Sequence, residues 1–163
     1  MTHIVQRDGQ QPLETLEVYY DGSDELLVGY NVCYDITASL TDPESDWSEK
    51  VRGRVVVKPA TANLKHYAGV VVKPPQKRID PAGTYKGWCT IARLRAGTWL
   101  KAYTNADMNL STKPYLKLAN NSFALVAEAT TGTTYGADTI AVVGETADTS
   151  GTAANKLVMG LKG

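Results

Sequence analysis

No window of this sequence sustains a 3.6-residue apolar period over three turns. Its apolar residues fall instead into short runs of strand-forming type, separated by Gly, Pro, Asn and Asp. That feature argues against a helical bundle and a layered α/β fold. The expectation is an all-β chain, a single small barrel or sandwich, with at most one or two short helical turns.

The runs can be placed one by one. Residues 1–13 are polar, contain Gly9 and Pro12, and read as an N-terminal arm ahead of a domain spanning 14–163. In the first strand Leu16, Val18 and Tyr20 alternate with Thr15, Glu17 and Tyr19. Asp21-Gly22-Ser23-Asp24 is a turn, and residues 26–36, LLVGYNVCYDI, form a second strand that could pair with the first as a hairpin. The polar loop 41–46 leads into a possible helical turn over 43–50, with Asp42 as N-cap and Pro43 at the first helical position. Val55-Val56-Val57-Lys58-Pro59 is echoed by Val70-Val71-Val72-Lys73-Pro74; two similar strands ending alike account for this without a structural repeat. The linker 60–67 has room for one helical turn. Further strands are expected over 85–94, 97–103, 116–118, 122–129, 139–143 and 156–161, with a small-residue loop over 144–155.

Length and charge bound the function. A chain of 163 residues makes one domain that buries about 70% of its unfolded surface, enough for a core without disulfides or metal. Seventeen basic and 17 acidic residues leave no net charge, which disfavours a binder that works by neutralising phosphates. No run approaches the roughly 18 apolar residues of a membrane span, and the first eight residues lack the apolar segment of a secretory signal. Cys33 and Cys89 have no CxxC spacing and lie in apolar runs, so they read as buried thiols.

The search for chemistry finds no GxSxG, P-loop or HExxH motif. His3 lies in the arm and His66 in a loop, and nothing selects a serine to pair with either. Asp42, Glu44 and Asp46 begin like a calcium loop, but Trp47 and Gly53 occupy the required Gly and Glu positions. Asp21, Ser23 and Glu25 fail in the same way, with Leu26 at the glycine position. Lys58, Lys65, Lys73, Lys77 and Arg78 make the centre locally basic, without an aromatic platform for nucleic acid. Nine Tyr and three Trp against a single Phe suit half-buried and interface positions. Trp88 and Trp99 read most simply as core or barrel-end residues. Together with Trp47 they form the alternative of a carbohydrate-stacking platform.

One stretch resembles a known family. Val55-Val56-Val57-Lys58-Pro59, through Asn63-Leu64-Lys65-His66-Tyr67, into Ala68-Gly69-Val70-Val71, is similar to small tailed-phage capsid decoration (cement) proteins with a β-tulip or β-barrel domain. Phe123 to Ala129, a Gly/Thr turn, and Thr139-Ile140-Ala141-Val142-Val143 resemble the end of that domain. The resemblance implies a non-enzymatic structural virion protein on the outer surface of an icosahedral head, assembled in the host cytoplasm. It implies a homotrimer that reinforces the major capsid protein, while the empty motif search, the zero net charge and the lack of a long apolar run give the expectation of no cofactor, metal, direct nucleic-acid or membrane contact. Zero net charge suits close packing at high copy number. Within the arm, Thr2, His3, Ile4, Val5 and Gln6 are the candidate capsid-binding residues, because Ile4-Val5 can add as a strand to a neighbouring sheet edge. The alternatives are another virion part, such as a tail or head-fibre component, and a carbohydrate-binding β module.

Overall fold

The structure, a computed structural model, describes residues 13–37, 54–76, 85–105, 107–108, 114–127, 135–145, 147–148 and 153–161. Among these residues there are twelve strands and no α-helix: β1 Thr15–Tyr20, β2 Asn31–Tyr34, β3 Val55–Val57, β4 Tyr67–Lys73, β5 Gly87–Ala92, β6 Trp99–Thr104, β7 Asp107–Met108, β8 Tyr115–Leu118, β9 Leu125–Ala127, β10 Ala141–Val143, β11 Ala147–Asp148 and β12 Ala154–Gly160. The all-β barrel expectation holds. The sequence reading did not resolve that the strands close twice, into rings ordered β1-β3-β2-β4-β5 and β6-β9-β8-β10-β12, with β7 and β11 forming a separate pair.

Several elements differ from expectation. β1 and β2 do not form a hairpin: β1 lies between β3, which is parallel to it, and β5, which is antiparallel. β2 pairs instead with β3 and β4. The expected strand 26–36 shortens to Asn31–Tyr34, because Gly29 at φ 93° turns the chain before it. The linker at 60–67 does make a single turn, with the amides of Asn63 and Leu64 donating to the Ala60 carbonyl. The expected helical turn at 43–50 lies outside the described residues.

The second ring repeats the first strand for strand. Taking β6, β8, β9, β10 and β12 as counterparts of β1, β2, β3, β4 and β5, the order around the ring is the same. Only the first and third strands of each set, β1·β3 and β6·β9, run parallel; every other pair is antiparallel. The register repeats as well. Tyr20 pairs with Val56 and Gly87, as Thr104 pairs with Leu125 and Ala154. Val70 and Val71 pair with Ala92 and Ile91, as Val142 and Val143 pair with Met159 and Val158.

Hydrogen bonds beyond the ladders follow the same correspondence. Asp21 donates to the Val56 carbonyl at 3.0 Å, and Asn105 to that of Leu125 at 2.7 Å. Val71 donates to Tyr30 and Val143 to Pro114, both at 2.8 Å. Arg93 donates to Glu14 and Gly160 to Thr98, both at 2.9 Å. The chain therefore holds one barrel unit twice. The echoed Val-Val-Val-Lys-Pro motif is unrelated to this repeat, since β3 and β4 sit in one ring. The counterpart of Val70-Val71 is Val142-Val143.

Alternation explains why each ring closes around a solid interior. Val18, Val32, Val56, Val71 and Ile91 fill the first barrel, and their counterparts Ala102, Leu116, Leu125, Val143 and Val158 fill the second. All ten are at most 2% exposed, and each Val, Leu or Ile among them contributes about 1.5–3 kcal/mol on removal from water. Closure also leaves no unpaired sheet edge around either ring.

The barrels share a core. Cys33, Val70, Ala92 and Leu94 of the first unit belong to the same buried cluster as the interior of the second. Asn31, 0% exposed, is the polar hub of the joint. Its Nδ2 donates to the carbonyls of Tyr103 at 3.1 Å and Phe123 at 2.8 Å, while its Oδ1 accepts from the Tyr67 hydroxyl at 3.0 Å. Its amide donates to the Phe123 carbonyl at 3.0 Å, and the Tyr103 amide donates to the Gly29 carbonyl at 2.7 Å. The Tyr30 ring packs against both Tyr103, at 4.8 Å between centroids, and Phe123, at 4.6 Å.

Candidate functional site

A cleft of about 1180 Å³ lies where the two units meet. Its floor is apolar, with Leu64 and Tyr67 from the first unit and Leu118, Val126 and Ile140 from the second. Lys65, Arg93, Arg95, Lys117 and Asp138 supply the charges on its lining. The turn before β4 presents Lys65, the segment after β5 presents Arg93 and Arg95, and the outward alternation of β8 presents Lys117.

Glu14 bridges the two arginines, with its carboxylate oxygens 3.5 Å from Arg93 Nη1 and 2.7 Å from Arg95 Nη2. All three groups are more than a third exposed, so the bridge orients the guanidinium groups more than it stabilises the fold. Lys65 and Lys117 have no ion-pair partner among the described residues. The cleft is thus an open, cation-rimmed apolar groove. It exceeds the usual 300–1,000 Å³ of a small-molecule pocket.

The residues singled out in the sequence are dispersed. Thr2, His3, Ile4, Val5 and Gln6 lie outside the described residues, as do Asp42, Glu44, Asp46, Trp47, Lys77 and Arg78. His66 is half-buried, and its carbonyl accepts from the Tyr34 amide at 2.7 Å. Asp21 is ion-paired to Lys86 at 2.6 Å, and Asp24 to Lys58 at 2.7 Å. Among the described residues no group of three or more His, Cys, Asp or Glu could hold a metal.

Both cysteines are free and buried, and burial pushes each thiol up to about 12, so neither supplies a thiolate near neutrality. Trp88 departs from the core or barrel-end reading: it is 47% exposed on the outer face of β5, with the Tyr19 ring edge-on at 5.7 Å. It borders a groove of about 290 Å³ with Pro74 and Pro75. Trp99 starts β6, in the other ring.

Lys65 was visible in the sequence as part of the basic stretch. Arg93 and Arg95, just after β5, and Lys117, on β8, were not, because only the fold brings these two distant segments to one cleft. The signal for the joint was Asn31, a lone amide inside an apolar run. No protein-family model matches this chain, and no curated protein matches it.

Proposed function

We propose that this protein is a structural virion component, a capsid decoration protein that binds the outer surface of an icosahedral head and stabilises capsomer contacts. The observation that carries the proposal is the division of chemistry in the fold. Both barrel interiors are packed mainly with aliphatic side chains, joined in the first by the buried rings of Tyr20 and Phe123, while Trp88 and Tyr135 are exposed and Lys65, Arg93, Arg95 and Lys117 line the cleft between the units. Such a body is suited to contact with other proteins. Leu27, Val28, Ile36, Trp88 and Tyr135 add exposed apolar surface of the kind that interfaces use. In this reading the cleft takes an acidic loop of the major capsid protein, Thr2 to Gln6 add as a strand to a capsid sheet edge, and the working form is a homotrimer.

Co-sedimentation with purified heads tests the proposal. The full chain is expected to pellet with heads in a fixed ratio, and Lys65→Glu with Lys117→Glu to weaken binding without lowering the melting temperature. Deleting residues 2–10 is expected to reduce binding sharply as well. A chain that stays in the supernatant with intact heads overturns the reading. If the deletion binds as well as the full chain, the arm is not the anchor.

A further inference from the structure

The repeated unit makes the joint inside the chain a template for a contact outside it. One half of that joint belongs to the first barrel. Across its outer wall, Asn31 pairs with Val70 and Val70 with Ala92, a row that is 0%, 1% and 0% exposed where the second unit covers it. The other half belongs to the second barrel, where Tyr103 and Asn155 pair across β6 and β12. There Asn155 Nδ2 donates to the Val28 carbonyl at 3.1 Å, and Gly29 lies so close to the Asn155 side chain that a Cβ on it would collide.

Each half has a counterpart in the other barrel. The counterpart of the row Asn31–Val70–Ala92 is Tyr115–Val142–Met159, joined by the same register. All three members are apolar or aromatic, and all are half-buried rather than covered. Tyr115 is extended by Tyr135, 47% exposed, whose ring stands edge-on at 6.0 Å. The counterpart of the pair Tyr103–Asn155 is Tyr19–Trp88, joined by the same register on β1 and β5. There the side chain is a tryptophan, also 47% exposed.

We infer that a second copy of this chain docks head to tail, its Tyr115–Val142–Met159 wall seated on the Tyr19–Trp88 face of the first copy. The contact repeats between chains the joint already made within each chain. It is a heterologous contact, so successive copies form a closed ring if the rotation closes and a filament if it does not. Trp88 is the anchor expected of such an interface, a large aromatic with a shallow groove beside it. The inference is read from the protein alone and stands or falls independently of capsid binding.

The experiment is sedimentation velocity on the full chain and on two variants, Trp88→Glu on one face and Met159→Glu on the other. Val142→Lys serves as a second donor-face variant should Met159→Glu melt early, and circular dichroism confirms that each keeps its strands. The full chain is expected to self-associate, and each variant to dissociate at least about 30-fold more readily, the effect of losing a hot-spot residue. Mixing the two variants is decisive. Each retains the face that the other has lost, so a head-to-tail contact gives a one-to-one heterodimer that grows no further. A monomeric full chain, variants that associate as the full chain does, or a mixture that stays monomeric each overturn the inference. So does a glycan array on which Trp88 binds sugar while the chain remains monomeric.

Discussion

Asn31 shows how one polar residue fixes the relation between two apolar barrels. Its side chain has two donors and an acceptor in use, and it lies wholly out of water. Asn31→Ala leaves the Tyr103 carbonyl and the Tyr67 hydroxyl without these partners, at about 1–3 kcal/mol for each group stranded, while the Phe123 carbonyl keeps the backbone amide of residue 31. A loss of about 3 kcal/mol overall is expected, read as a fall of roughly 6–12 °C in melting temperature. An unchanged melting point would mean that the hub is dispensable.

Buried titratable groups set the alkaline limit. Burial raises the Cys33 and Cys89 thiols to about 12 from a normal 9.0, and raises the Tyr20 and Tyr67 hydroxyls well above 10.0. Below these normal values all four groups are protonated in both the folded and the unfolded chain and add no pH dependence. As pH rises past 9 and then 10, the unfolded chain releases protons that the folded chain keeps, so stability falls. Lys86, raised by its hydrogen bond to Asp21, acts in the same direction. Urea midpoints are expected to be flat with respect to these groups up to about pH 9 and to fall beyond it, with the tyrosinate absorbance of Tyr20 and Tyr67 appearing only on unfolding. Midpoints that rise above pH 9 contradict this account.

At the scale of elements, β4 and β10 occupy the same place in their rings but tolerate different residues. Gly69 sits at φ 154°, and a Cβ there would collide with the Ala92 carbonyl of β5. Its counterpart Ala141 already carries a methyl and is fully buried. Gly69→Ala is therefore expected to cost about 1–3 kcal/mol, the range for forcing a group into a packed site, and to show in a denaturant melt. A neutral result would mean that β4 shifts freely against β5.

The strands were legible in the sequence because alternation and β-branched residues are local signals; their partners were not, because pairing is non-local. The adjacent runs of β1 and β2 suggested a hairpin, yet β3 intervenes from beyond residue 54. Nor was the repeat legible. Tyr19/Tyr103, Val70/Val142 and Val71/Val143 keep the same residue, whereas interior pairs such as Val32/Leu116 and Ile91/Val158 keep only apolar character. Alternation specifies which face is buried, and many sequences satisfy that requirement equally well. The cleft was hidden for the same reason: its rim gathers charges that only the closed rings bring together.

At the scale of the whole molecule, the shared core decides whether two similar barrels behave as two domains or as one. Ala92 and Leu94 at the end of the first unit lie in one buried cluster with Leu100, Leu116, Leu125 and Val158 of the second. Phe123 of the second unit lies reciprocally in the cluster that fills the first. Losing either barrel would expose the apolar wall of the other and strand the Asn31 hydrogen bonds. The energetic coupling should therefore exceed that of two beads on a linker, and unfolding is expected to be one cooperative transition. The tryptophans provide a test, since Trp88 belongs to β5 and Trp99 to β6. Two variants that keep only one of them, each with Trp47 also replaced, report on the barrels separately by fluorescence. Coincident urea transitions from both reporters are the expected result. If the two curves separate, the units unfold independently and the shared cluster contributes little to holding them together.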